Sequence, residues 1–230
     1  MLYIVSTPIG NLKDITLRAL EVLKSVDLIA CEDTRHSKIL TSHYQISTPL
    51  TSYFEYNKIT KGQYLLGLLK EGKDVALVSD AGTPGISDPG YNIIKLAQEN
   101  NISITAIPGP CALINALALS GCPGEKFIFE GFLSNKGQAR LARLRELAGE
   151  NRTIVFYESP YRLLKLLADI REVFGEREVL CVREATKKFE EIKKDKAGAL
   201  IEHFTKRHPR GEFVVILPAL KSSPLERASI

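Results

Sequence analysis

The chain has 230 residues, 44% hydrophobic and 25% charged, enough apolar material for a sizeable core in one or two domains. Its 31 basic and 27 acidic side chains leave +4, a sum that argues neither for nor against a polyanionic partner. Disordered, collagen-like and disulfide-dense classes are excluded, and no apolar run approaches the roughly 20 residues that a membrane-spanning helix needs.

The N-terminus, Met1-Leu-Tyr-Ile-Val-Ser-Thr-Pro8, lacks a basic leader region and reads as a strand, so no secretory signal is expected. The cysteines at 31, 111, 122 and 181 form no CxxC pair, and the four histidines show no ligand spacing. Reduced thiols, a cytoplasmic protein without a membrane partner, and no metal are the expectations.

In chain order, short β-rich runs fall at residues 2–6, 28–31, 75–79, 102–107, 127–132, 153–157, 179–183 and 213–217. Helical patterns lie between them at 16–26, 64–71, 91–100, 112–120, 137–149 and 160–174. Asp14 or Thr16 suits the first helix cap, and Pro160 suits a first turn. Apolar strands alternating with helices predict an α/β protein whose sheets are covered on both faces.

The turn-rich stretch Ser120-Gly-Cys-Pro-Gly-Glu125 interrupts this rhythm. Residues 1–120 carry 10 basic and 11 acidic side chains, net −1, whereas 121–230 carry 21 and 16, net +5. Two α/β domains are therefore predicted, 1–120 and 121–230, the second with the basic surface. The tail from Lys221 onward reads as a frayed polar end.

Unusual residues cluster after the strands, where open α/β sheets bind ligands. The longest such loop, residues 80–90, holds three glycines and two prolines in eleven residues, a fixed path with little side-chain bulk. It reads either as a stiff connection or as a loop that brings backbone close to a flat ligand. GxxxxGK[ST] and GxGxxG are both absent, which argues against nucleoside triphosphates and dinucleotides.

Glu32-Asp-Thr-Arg35 places two carboxylates and a guanidinium after an apolar strand, as a helix cap with a rim ion pair or as ligand-facing charge. Glu158 with Arg162, and Arg183 with Glu184, pose the same alternative. Charged groups at four strand ends suggest one shared cleft. Lys136, Arg140 and Arg143 fall at helical spacing opposite Leu141, Leu144 and Ala148 and predict a positive stripe. Two further basic clusters follow, Lys187, Lys188, Lys193, Lys194 and Lys196, then Lys206, Arg207, His208 and Arg210. Such groups suit phosphate contacts or a solvated helix face.

Six segments together carry a resemblance: residues 3–16, Glu32-Asp-Thr-Arg35, residues 77–90, Pro108-Gly-Pro-Cys-Ala112, Phe156-Tyr-Glu-Ser-Pro-Tyr-Arg162 and Arg183-Glu-Ala-Thr-Lys187. They resemble the rRNA-methylating members of the tetrapyrrole methylase family, over the chain to about residue 217. That resemblance implies a class III methyltransferase of two α/β domains, homodimeric, with S-adenosylmethionine in the interdomain cleft. It implies methylation of the ribose 2′-hydroxyl of a decoding-centre cytidine of 16S rRNA in the small ribosomal subunit. A small-molecule tetrapyrrole methylase and a non-catalytic rRNA-binding assembly factor are the alternatives.

By motif, the resemblance assigns Pro8, Asp80, Ala81, Gly82, Thr83, Ile86, Ser87, Cys111 and Ala112 to the cofactor. From the second domain it adds Phe156, Tyr157, Glu158, Arg183 and Ala185. For catalysis, Glu184 or Glu32 is expected to assist the hydroxyl proton, with Arg35 and Lys187 holding phosphates. Lys136, Arg140, Arg143 and Lys188 are expected to contact RNA.

Overall fold

In the computed structural model, which describes residues 1–219, the chain divides into two units, Met1–Cys111 and Ala112–Ile230. The polar tail read from the sequence lies outside the described residues. The division falls before the helix at 112, whereas the composition shift sits after it.

Unit 1 runs β1 (Leu2–Val5), α1 (Leu17–Ser25), β2 (Leu28–Cys31), α2 (Thr34–His43), β3 (Leu50–Ser52), α3 (Lys58–Lys70), β4 (Val75–Val78), α4 (Tyr91–Glu99) and β5 (Ile104–Ile107). The strands form a parallel sheet in the order β3-β2-β4-β1-β5. Alternate residues serve opposite faces, as strand geometry requires. Val5, Ile29, Cys31, Ala76, Val78 and Ile107 pack with α1 and α2 residues such as Ala19, Leu23 and Leu40. Leu2, Ile4, Ala30, Val75 and Leu77 pack with Leu65, Leu69, Ile93 and Ala97 of α3 and α4. Each fully buried aliphatic side chain contributes about 1.5–3 kcal/mol.

From β1 the chain crosses over β4 to reach β2; from β4 it crosses over β1 to reach β5. These adjacent strands thus send their connections to opposite sides, which makes their carboxyl ends the switch point where open α/β sheets hold ligands.

Unit 2 runs α5 (Ala112–Leu119), β6 (Phe127–Phe132), α6 (Gly137–Glu146), β7 (Thr153–Glu158), α7 (Leu163–Phe174), β8 (Glu178–Arg183), β9 (Glu191–Lys196), α8 (Ala197–Lys206) and β10 (Phe213–Leu217). Its sheet, ordered β6-β7-β10-β8-β9, is mixed: β6 runs parallel to β7, and every other pair is antiparallel. Phe156, Leu166, Ile170, Cys181, Leu200, Phe204 and Val215 build its core.

All eight sequence-read strands form, and β3 and β9 are additional. β9 reads Glu-Ile-Lys-Lys-Asp-Lys, half-buried at Glu191, Lys193 and Asp195 and exposed between them. Having no apolar alternation to announce it, the strand is specified by its six-residue register with β8. Charge along a sheet edge also blocks unwanted pairing. α2 and α8 are the additional helices. The inner face of α2 is Ser37, Leu40 and Thr41, so its buried stripe is mostly small and polar.

Candidate functional site

The carboxyl ends of β1, β4 and β5 are stapled together by backbone and hydroxyl groups. Thr7 N–H donates to the Gly82 carbonyl at 2.8 Å, and Gly82 N–H returns a bond to the Thr7 carbonyl at 3.0 Å. The Thr7 hydroxyl donates to the Ser79 carbonyl at 3.0 Å, and the Ser6 and Thr83 hydroxyls meet at 2.9 Å. The Thr83 hydroxyl also reaches the Pro110 carbonyl at 3.4 Å. Ser6, Thr7 and Ser79 are buried, and a buried hydroxyl is tolerated because it has these partners. At Gly109, an added Cβ would stand 3.0 Å from the Ser6 Cβ, so the third loop closes on the first only with glycine there.

Two glycines set the course of the 80–90 loop. Gly82 has φ +88°, the left-handed region, where it makes the bridge to Thr7. Gly90, at φ +152°, caps α4, and a Cβ there would lie 3.0 Å from the Gly85 amide. Ser87 also takes a positive φ, 64°, and stands exposed with Ile86 at the outer bend.

Of the residues assigned to the cofactor, Asp80, Ala81 and Thr83 are half-buried at the switch point, and Cys111 is half-buried where the β5 loop ends. Pro8 and Gly82 are buried, so they shape the loop more than they present a surface. The stapling hydroxyls of Ser6, Thr7 and Ser79 and the close approach of Gly109 were missed from the sequence. Their signal was the abrupt change from apolar strand to Ser/Thr at two strand ends.

Beside this staple three carboxylates gather. Asp33 caps α2, accepting from Arg35 N–H at 2.8 Å, and its own N–H donates to Asp80 Oδ1 at 3.2 Å. Arg35 grips the Asp33 carboxylate with Nε and Nη2, at 3.0 and 2.6 Å, and holds it at a pKa of about 2. His36 Nδ1 lies 3.7 Å from Asp80 Oδ1. Glu32 makes no hydrogen bond or ion pair among the described residues. Burial, then the charges of Asp80 and Asp33, push its carboxyl above the usual range. With one guanidinium against three carboxylates the cluster is net negative, and Glu32 is the carboxylate poised to take a proton.

The charged strand ends of unit 2 behave otherwise. The register sets Glu158 and Arg183 on either side of Phe213. Glu158 Oε1 accepts from Arg162 Nε at 2.7 Å, and its side chain is wholly out of solvent. Arg162 also donates to the Leu133 carbonyl at 3.1 Å and to Asn135. Arg162 thus satisfies Oε1, while Glu158 Oε2 is buried with no hydrogen-bond partner among the described residues. Phe156, assigned to the cofactor, is a correction: the alternation of β7 turns its ring into the core, fully buried. Glu158 is a second correction on the same ground of burial. Tyr157 is half-buried, and its hydroxyl accepts from Leu113 N–H at 3.0 Å in the first turn of α5, which begins at Ala112.

Arg183 donates to the Arg210 carbonyl at 2.7 Å and pairs with Glu191 at 3.2 Å. Glu184, at φ +50°, accepts from Lys187 Nζ at 2.9 Å and from Glu212 N–H at 3.0 Å. Its side chain lies over Gly211, where an added Cβ would overlap the carboxylate. Burial raises the Glu184 pKa, but the Lys187 and Glu212 hydrogen bonds outweigh it and lower the net value. Lys187 also pairs with Glu212 at 2.8 Å. Ala185 is half-buried within this knot, and Lys188 is exposed over the Phe189 ring.

The positive stripe on α6 is a third correction. Arg140 is buried, 6% exposed, and its Nε bonds Asp169 at 2.5 Å. It lies four residues from Leu144, on the same helical face, so it faces inward with that leucine. Arg143 is partly exposed but held by Glu130 at 2.7 Å and Glu146 at 2.6 Å. Lys136 alone of the three is an exposed cation without an ion pair among the described residues.

A glycine-built loop and a net-negative carboxylate cluster thus meet at the switch point of a parallel α/β sheet. The family described as Tetrapyrrole (Corrin/Porphyrin) Methylases matches residues 1–201, and the chain belongs to that family of methyltransferases. It is 52% identical over 216 residues to a Thermotoga maritima protein named ribosomal RNA small subunit methyltransferase I, covering 94% of this chain and 97% of that one. A Synechocystis protein of the same name is 47% identical over 230 residues, 100% of this chain and 82% of the relative. Among solved structures, diphthine synthase superposes with TM-score 0.76 at 13% identity, covering 99% of this chain and 92% of its own. Cobalt precorrin-4 methyltransferase superposes with TM-score 0.72 at 19% identity, covering 94% of each chain. At those identities the likeness is one of fold.

Proposed function

We propose that this protein is an rRNA methyltransferase of the small ribosomal subunit, using S-adenosylmethionine to methylate the ribose 2′-hydroxyl of a decoding-centre cytidine of 16S rRNA. The observation that carries the reading is the Glu32–Asp33–Asp80 cluster beside the Gly82 loop, in a chain 52% identical along nearly its whole length to an rRNA methyltransferase. When bound, the cofactor supplies a methyl group carried on a sulfonium cation.

The residues present fit such a group. Three carboxylates with one guanidinium and one imidazole among them favour a cation, and the 80–90 loop offers backbone without bulk. Asp80, Ala81, Thr83, Ile86, Ser87 and Cys111 are the residues that would hold it. For the acceptor, Glu32 is the chain's proton acceptor: it is unpaired, and its raised pKa brings it nearer the working pH. Glu184 is not, because its carboxylate is already occupied. Holding acceptor and donor in line lowers the barrier by about 7–11 kcal/mol, and that work falls to the stapled loops.

The experiment offers labelled S-adenosylmethionine with under-methylated small subunits, naked rRNA and a tetrapyrrole precursor. Label on the 2′-oxygen of one cytidine is the expected result. Label on the tetrapyrrole alone makes this a small-molecule methylase, and no label with no cofactor binding by calorimetry removes the enzyme reading. The same reading expects a homodimer, checked by sedimentation.

A further inference from the structure

One face of α2 is unlike every other charged surface described above. Arg35, Lys38, Ile39, Ser42 and His43 recur at positions i, i+3, i+4, i+7 and i+8, which sets them in a single stripe along the helix. All five are exposed, Ile39 at 59%. With Leu12 of the 3-10 turn Leu12–Asp14 they line an open groove of about 700 Å³. The opposite wall is fixed: Asn11 caps that turn through Lys13 N–H, and the Tyr44 hydroxyl donates to the Leu12 carbonyl at 2.7 Å. The eight helical steps from Arg35 to His43 make the stripe roughly 12 Å long.

The chemistry of the groove is basic with an apolar floor. Lys38 makes no ion pair among the described residues, and neither do Lys13 beside Leu12 and Arg18 at the start of α1. Arg35 is 89% exposed in its side chain and keeps donors free while it holds Asp33. Cations spaced along a groove with exposed aliphatic surface between them suit the phosphates and the sugar or base faces of a single nucleic-acid strand. The Arg35 end of the stripe is the end at which α2 leaves Glu32, Asp33 and Asp80. A strand that delivers a ribose hydroxyl to that cluster would then run on over α2.

We propose that the groove between the Leu12–Asp14 turn and the outer face of α2 binds single-stranded rRNA beside the methylated nucleotide. Arg35 and Lys38 contact phosphates, and Ile39 with Leu12 forms the apolar floor. This rests on the rRNA methyltransferase reading above, and it moves RNA recognition from the paired arginines of α6 to unit 1.

The test measures binding of under-methylated small subunits by the intact protein as salt is varied, alongside methylation kinetics and cofactor calorimetry. Lys38→Ala is expected to weaken binding about several-fold and to lower the slope of log affinity against log salt by about one. Lys38→Glu is expected to weaken it at least about tenfold, raising KM for subunits while kcat and cofactor affinity hold. Lys70→Glu, on α3, carries the same charge change and is expected to bind as wild type. Wild-type binding and salt slope in Lys38→Glu would overturn the groove while leaving the enzyme reading intact. So would loss of binding in Lys136→Ala with Lys38→Glu unaffected. If the unaltered protein binds the cofactor yet labels no RNA, the enzyme reading fails first and takes the groove with it.

Discussion

The two sheets end their strands in opposite ways. In unit 1, hydroxyls and backbone do the stapling, so two of the carboxylates escape ion pairing with Lys or Arg: Asp33 is held by Arg35, but among the described residues Glu32 is unpaired and Asp80 meets a histidine and a backbone amide. In unit 2 the charged groups are the staples. Glu158 is closed by Arg162, Arg183 by Glu191, and Glu184 by Lys187 and the Glu212 amide. Charged residues placed alike after strands in the sequence thus carry different meanings. An ion pair lowers the free energy of both its charges, whereas like charges held together by neutral scaffolding keep a raised free energy that a cation or a proton can relieve.

The sharpest way to break this comparison is Glu32→Gln. General-base assistance is typically worth 10²–10⁴-fold, so kcat should fall by about that factor with cofactor and RNA binding retained. An unchanged kcat would return Glu32 to the structural class. The pH profile sharpens the same point. Because the Glu32 pKa is raised, its basic form appears only above the ordinary glutamate value of 4.5. The acid limb of kcat should therefore fall above that value and vanish in the glutamine variant.

Next in size is Arg140→Ala, which strands Asp169 in a largely buried position and should cost about 3–5 kcal/mol of unfolding free energy. Denaturant titration measures it, and RNA affinity of the folded variant should not change. Glu184→Ala is milder, about 1.5–3 kcal/mol, since it removes charged hydrogen bonds at a partly exposed site. Its kcat per folded molecule should match wild type; a large loss in a folded variant would place unit 2 back in the proton transfer.

Smallest is the acid limb of stability from Asp33 and Glu150, both held at about 2 by arginine partners. Their folded pKa values are depressed, so this contribution is complete above their ordinary values of 3.8 and 4.5 and is lost as pH falls towards 2. Arg35→Ala should shift the Asp33 carboxyl upward and shorten that limb, read by carboxyl NMR titration.

Strands with continuous apolar runs were legible because parallel and central strands are buried on both faces. Residues 28–31, 75–79 and 213–217 show this directly. β9 and α2 were not, since neither is built on apolar periodicity. β9 is held by backbone pairing at a sheet edge, and α2 buries serine and threonine. The candidate site divided in the same way. Composition revealed the glycine loop and the Glu32-Asp-Thr-Arg35 run. Whether a carboxylate is free or paired depends on contacts far along the chain, such as Glu184 with Glu212 or Arg140 with Asp169. Helical spacing alone misplaced Arg140, because a face needs its buried side identified before its exposed side can be named.

The four free cysteines give each unit its own clock. Cys31 sits in the core of unit 1 and Cys181 in that of unit 2, and burial pushes both thiols up in pKa, while Cys111 and Cys122 are only half-buried. Alkylation needs thiolate and access together, so Cys31 and Cys181 should react only when their own sheet opens. The delay before each is modified, followed by mass spectrometry on one native sample, would record how often each half of the molecule breathes.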